Sequence, residues 1–170
     1  GVMIFRIRNT TLSIALTLTL GGCLQPMYGG IAGDGLRSEL AAIKVEPIPD
    51  RVGHYLANEL IFALNGSGST VTPKYRLTIA VTEKVQTPLV DTVSGRATAG
   101  TLVVDANYKL IPVAGTEPII QGTAFVAASY DRSSQRFANL RAARDAEIRT
   151  AKALSEQIHT RIASAMSGRN

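Results

Sequence analysis

Thr101-Leu102-Val103-Val104-Asp105-Ala106-Asn107-Tyr108-Lys109-Leu110 reads as a strand written in alternation. Leu102, Val104, Ala106, Tyr108 and Leu110 fall on one side, while Asp105, Asn107 and Lys109 fall on the other. A two-residue period of this kind is that of a half-buried β-strand. The runs on either side repeat it. Upstream, Tyr75, Leu77, Ile79 and Val81 alternate with Lys74, Arg76, Thr78 and Thr82. Downstream, Ile119 to Tyr130 is rich in small residues and sets Ala124, Val126, Ala128 and Tyr130 on one face. A loop from Thr87-Pro88 to Gly95 separates the first two runs, and Pro112 to Pro118, with Gly115 inside, predicts a hairpin loop between the last two. Three such strands in succession predict an antiparallel sheet with one covered and one polar face.

The covering layer is legible on both sides of these strands. Val52, Leu56, Leu60 and Leu64 recur at helical spacing, with Tyr55 and Phe62 widening the apolar face. Asp50 stands at the N-cap position, its carboxylate able to accept backbone N–H bonds, and Asn65-Gly66-Ser67-Gly68 closes the helix, since Asn and Gly tolerate the left-handed conformation of a C-cap. From about Gln135 to Met166 the chain lacks proline and glycine and is rich in alanine and arginine, which predicts a long helix. Its apolar stripe is Ile148, Ala151, Leu154, Ile158, Ile162 and Ala165, with Phe137 and Leu140 near the start. Ahead of the first helix, Ile43 and Val45 alternate with Lys44 and Glu46, predicting a short strand that Pro47 and Pro49 stop. The predicted fold is therefore α/β: two helices on one face of a small four-stranded, mostly antiparallel sheet, in the order β-α-β-β-β-α.

The amino-terminal segment carries an address rather than a fold. Arg6 and Arg8 form a positive region, Thr10 to Leu20 an apolar run, and Gly21-Gly22 precede Cys23. This is the anatomy of a lipoprotein signal, cleaved so that Cys23 becomes the first residue and is acylated. The apolar run is about half of the roughly 20 residues that span a bilayer. The expected organisation is a signal peptide over 1–22, an acylated cysteine and flexible tether over 23–40, and a single domain over 41–170. Cys23 is the only cysteine of the chain, so once it is acylated no disulfide can form and the fold rests on packing. The formal net charge of +5 includes Arg6 and Arg8, so the part after the signal is only mildly basic. Its excess lies late: from Arg136 to Arg169 there are seven Lys or Arg and three acidic residues.

Few residues suit catalysis. The two histidines, His54 and His159, stand on separate predicted helices without a second ligand at metal spacing. Ser67 in Gly66-Ser67-Gly68 lacks the spacing of a nucleophile elbow. Asp145 and Glu147 are two apart on a helix and do not face each other. The glycines at 29 to 35 lack the lysine and spacing of a phosphate loop. Neither an enzyme, a cofactor nor a metal is expected. Asn65-Gly66-Ser67 fits a glycosylation acceptor, but beside a bacterial signal it reads as a helix cap. Nucleic acid is not an expected partner either: the chain has no tryptophan, and most tyrosines fall on core faces. The late arginines are then either a solvated helix face or a surface for an anionic envelope partner or lipid phosphate.

Three markers resemble the lipopolysaccharide-assembly lipoprotein family in its alphaproteobacterial form. They are Gly22-Cys23-Leu24-Gln25-Pro26-Met27-Tyr28-Gly29, then Ile48-Pro49-Asp50-Arg51-Val52-Gly53, then Ala127-Ala128-Ser129-Tyr130-Asp131 with Phe137 to Glu147 beyond it. The resemblance covers essentially the whole chain after the signal. It implies an α/β sandwich of two helices on a four-stranded sheet, lodged as a plug inside a large outer-membrane β-barrel. There the protein would help the barrel assemble and help lipopolysaccharide, which it is expected to bind, reach the outer leaflet. Leu24 departs from the small residue expected after the cysteine. It is not the aspartate that retains lipoproteins at the inner membrane, so the expected location is the outer membrane, on the periplasmic side.

Roles follow for single residues. Cys23 would carry the acyl chains, each buried CH₂ contributing about 0.8 kcal/mol to anchoring. Arg96 and Arg132, each near a strand end, are candidate phosphate contacts for lipopolysaccharide, or else scattered solubilising charge. Lys74, Arg76 and Lys109 are lesser candidates from the polar strand face. A function of a different class remains open at this point: an accessory lipoprotein of an ABC-type envelope lipid-trafficking system, whose partner would be a transporter rather than a barrel.

Overall fold

The computed structural model describes residues 31–66, 70–87, 93 and 98–169. The signal segment and Cys23 lie outside the described residues. In chain order the elements are helix α1 (Ile31–Ala41), strand β1 (Ile43–Val45), helix α2 (Arg51–Leu64), strands β2 (Tyr75–Gln86), β3 (Ala99–Pro112) and β4 (Ile120–Asp131), and helix α3 (Arg136–Ser167). The sheet order is β1-β2-β3-β4. The three long strands pair antiparallel, Leu77 opposite Leu110 and Ala106 opposite Ala124. The short β1 pairs parallel to β2, Ile43 opposite Tyr75, so the sheet is mixed. A strand followed by a helix and a crossover returns in the same direction, which is why β1 alone is parallel.

The alternation read from the sequence is the alternation of burial. Leu77, Ile79, Leu102, Val104, Ala106, Tyr108, Leu110, Ala124 and Ala128 are buried, and they join Leu56 and Leu60 of α2 and Leu154, Ile158 and Ile162 of α3 in one core. Glycines in β3 and β4 have a steric purpose. A Cβ on Gly100 would lie 2.7 Å from Tyr130 Cζ, and one on Gly122 would lie 2.6 Å from Tyr108 Oη. Both are cross-strand pairs in which a tyrosine ring lies over a glycine.

The structure corrects the sequence reading in four places. The first is a third helix: residues 31–40, assigned by composition to a tether, are helical, because Leu36 and Leu40 stand four apart and both are buried in the core. Glu39 fastens this helix to the start of β2, accepting from Lys74 Nζ at 2.6 Å and from Tyr75 Oη at 3.0 Å. The second concerns Asp50, which holds φ 67° and ψ 172° and makes no side-chain cap bond. That backbone region favours glycine, and an N-cap carboxylate reaches the helix N–H groups only from the extended region. Third, Asn65 ends α2 at φ −135° rather than left-handed, its N–H donating to Ile61 O at 2.9 Å. Fourth, Phe62, Phe137, Leu140 and Ile148 belong to no core; they are 73%, 82%, 59% and 43% exposed.

Two expected results test this packing. The Lys74 ammonium and the Tyr75 hydroxyl hold the Glu39 carboxyl below its usual range, against a smaller opposing effect of burial. A carboxyl whose folded pKa is depressed stabilises the fold above its unfolded pKa, and the contribution is lost as pH falls through the folded one. Glu39→Gln should therefore lower the melting temperature at pH 7 by an amount worth less than about 1 kcal/mol. The gap from the parent protein should close as the pH is taken down through the carboxylate range. The second result concerns Gly53, where a Cβ would meet Ile48 Cγ2 at 2.7 Å and Ile48 O at 3.0 Å. Ile48 is held between Pro47 and Pro49 and cannot withdraw. Gly53→Ala gains about 1 kcal/mol of helix propensity. Overpacking costs about 1–3 kcal/mol, so a net loss is expected in denaturant unfolding.

Candidate functional site: an arginine-rich helix overhang

α3 has 32 residues, about 48 Å at the usual helical rise. Its first buried residue is Ala146, so Arg136 to Asp145 extend past the core they continue. The overhang begins where the chain leaves β4. Asn139 braces that turn, its Oδ1 accepting from Ser133 N–H at 2.6 Å and its Nδ2 donating to Ser133 O at 2.7 Å. Ser133 Oγ in turn accepts from Gln135 N–H at 3.2 Å. Arg132 and Arg136 stand on either side of this braced turn.

Two shallow grooves flank the exposed Leu140. One, of 350 Å³, is lined by Tyr130, Arg132, Arg136 and Asn139 among others. The other, of 250 Å³, is lined by Arg51, Phe137, Arg141 and Arg144. Charge is distributed unevenly among these arginines. Arg51 makes a two-point ion pair with Glu147, Nε to Oε2 at 2.7 Å and Nη2 to Oε1 at 2.9 Å. That pair ties the start of α2 to α3 and raises the Arg51 pKa further. Arg149 is likewise held, by Asp145 at 2.8 Å. The guanidinium groups of Arg132, Arg136, Arg141 and Arg144 have no acidic or hydrogen-bonding partner among the described residues. Four free guanidinium groups around Phe137 and Leu140 offer hydrogen-bond donors for phosphate or carboxylate beside an apolar seat.

The predicted site residues do not gather here. Among the described ones, only Arg132 belongs to this end. Lys74 precedes β2 at the opposite end of the sheet and is engaged by Glu39. Arg76 and Lys109 stand on the open sheet face toward that same end, Lys109 opposite Thr78. Strands of this length put Lys74 and Arg132 roughly 40 Å apart. Arg96, Cys23 and Ser67 lie outside the described residues. The sequence reading offered the late arginines collectively as a possible anionic-partner surface, but did not single out Arg136, Arg141 and Arg144 or join Arg51 to them. The available signal was the exposure of Phe137 and Leu140, which helical periodicity had assigned to the core.

Other chemistry is sparse. His159 is half-buried, and burial lowers its pKa. His54 Nε2 contacts Asn58 Nδ2 at 3.2 Å. Among the described residues no group of three or more His, Cys, Asp or Glu could hold a metal ion, and no helix is long and apolar enough to cross a membrane.

A family model described as LptE, lipopolysaccharide-assembly, matches residues 40–162. The chain belongs to the lipopolysaccharide-assembly family. Two solved structures of similar fold accompany that match. A Caulobacter crescentus CB15 protein, described as a lipoprotein, is 23% identical, with a TM-score of 0.66, covering 80% of this chain and 98% of its own. A minor lipoprotein from Acinetobacter baumannii is 18% identical, with a TM-score of 0.56, covering 73% and 91%. No curated protein sequence matches. The match of the lipopolysaccharide-assembly family begins at Leu40, in the last turn of α1, and ends at Ile162 in α3. It thus includes the whole overhang and all four free arginines.

Proposed function

We propose that this protein is an outer-membrane lipoprotein, anchored through acylated Cys23, that plugs the lipopolysaccharide-translocating β-barrel and helps it assemble. In this role it aids insertion of lipopolysaccharide into the outer leaflet, and it is not an enzyme. The observation that carries the reading is the family match over residues 40–162. Two features of the molecule support it. One sheet face is left to solvent and, beside Val103 and the exposed Phe125, carries hydroxyl and amide groups paired with one another, Thr101 with Ser129 at 3.0 Å and Thr123 with Asn107 at 2.6 Å. A largely polar face suits the polar lumen of an outer-membrane barrel. The free arginines beside Phe137 and Leu140 suit an anionic glycolipid, which presents phosphate groups next to acyl chains. Arg96 and Arg132 are the phosphate contacts proposed first, with Arg136, Arg141 and Arg144 joining Arg132.

The test is purification of the full chain from detergent-solubilised envelopes. The reading expects a large β-barrel outer-membrane protein to accompany it. Recovery of an ABC-type transporter in place of a barrel would favour the accessory-lipoprotein function instead. In the same cells Cys23→Ser should abolish fatty-acid labelling, and continued labelling would refute the anchor.

A further inference from the structure

The two edges of the sheet are treated differently. Along β4, the outer edge is covered by side chains of α3 that donate to its outward carbonyls. Gln157 Nε2 reaches Phe125 O at 3.0 Å, Arg149 Nη2 reaches Ser129 O at 3.2 Å, and Arg161 Nη1 reaches Thr123 O. Edges closed in this way do not recruit further strands. On the other side, β1 pairs only with Tyr75–Leu77. Glu46 N–H donates to Leu77 O at 3.0 Å, and β2 then runs on for nine more residues.

The pairing phase fixes which groups that continuation presents. Val113 N–H donates to Lys74 O at 2.9 Å, so even-numbered residues of β2 exchange hydrogen bonds with β3. The backbone N–H and C=O of Val81, Glu83 and Val85 therefore point away from the sheet. Among the described residues they have no partner. Thr82 to Gln86 are exposed, Val85 by 59%. Lys84 stands on the open sheet face, whereas on the helix-covered face this edge is acidic. Glu83 is near Glu147 and Asp50, which, after partial burial, hold its carboxyl above the usual range. The nearby cation, Arg51, is already committed to Glu147.

We propose that the outer edge of β2, from Val81 to Val85, receives an extended segment of a partner polypeptide as a fifth strand, with a basic side chain set opposite Glu83. Backbone pairing supplies the affinity in this mode, and the cross-strand charge supplies the register. A second copy of this chain is a poorer occupant. The two-fold antiparallel register that uses all of residues 79–87 is centred on Glu83 and sets two carboxylates face to face.

The test is amide hydrogen exchange at residues 81–86 of the full chain, compared between purified protein in detergent and native envelope vesicles. Expected is fast exchange at Val81, Glu83 and Val85 when purified, slowed at least roughly 100-fold in the envelope. Glu83→Pro removes only an outward N–H and spares the β3 ladder, so it should fold yet lose the envelope protection of Val81 and Val85. Glu83→Arg, which keeps the backbone donor, should lose it too. Equal exchange in both settings would overturn the proposal. So would protection that appears in purified protein together with dimer formation. Capture of the barrel is scored in the same extracts. A captured barrel with unprotected amides sinks this inference alone, while protected amides without a barrel sink the proposed function alone.

Discussion

Replacing Arg132, Arg136, Arg141 and Arg144 together with glutamine should weaken binding to lipopolysaccharide-containing vesicles by about three orders of magnitude. Each basic side chain near an anionic membrane surface contributes about 1 kcal/mol. Four of them make about 4 kcal/mol, and each 1.4 kcal/mol is a factor of ten. The fold should not suffer, because all four side chains are exposed and hold no ion pair or hydrogen bond among the described residues. The comparison protein carries Lys74→Gln, Arg76→Gln and Lys109→Gln, three charges from the other end of the sheet. That variant should bind nearly as the parent does. Raising the salt should shrink the difference between the two variants, since exposed charges are screened beyond about 8 Å at physiological ionic strength. Vesicle flotation at two salt concentrations reads both effects.

The largest stability effect is expected at Ile158→Ala, at about 3 kcal/mol. Ile158 is fully buried in the core that α3 shares with the sheet and α2, and removal of a buried branched side chain loses both transfer energy and packing. Phe137→Ala removes a larger side chain from the same helix and should change stability by no more than about 0.5 kcal/mol, since Phe137 is 82% exposed. Denaturant unfolding of the two variants side by side measures the division of α3 into a packed shaft and a free overhang. Equal losses would mean that the overhang is packed after all.

Much of the fold can be read before any coordinates. Strands with a covered face alternate, and the period of two placed Leu77, Leu102 to Leu110 and Ala124 to Ala128 on their buried side. Helix α2 was as plain, because Val52, Leu56, Leu60 and Leu64 repeat every four residues. What periodicity could not show was where a helix stops being covered. Phe137 and Leu140 continue the stripe of Ile158 and Ile162 in sequence, but β4 and α2 end before α3 does. The same limit hid α1: Gly33 and Gly35 made the stretch look like a tether, although two leucines and the Glu39 pair are enough to dock it. The candidate site was legible only in part. Arg132 stood out by its place at a strand end, whereas Arg136, Arg141 and Arg144 became a group only once the turn braced by Asn139 set them around one apolar seat.

On the proposed function, this seat meets lipopolysaccharide while the domain stands at its barrel. A photo-crosslinking amino acid at position 140, in the full lipidated chain within native envelopes, addresses it directly. An adduct with lipopolysaccharide is expected at position 140 and none at position 62, which is as exposed but lies at the far end of α2. Adducts at position 62, with none at 140, would contradict it.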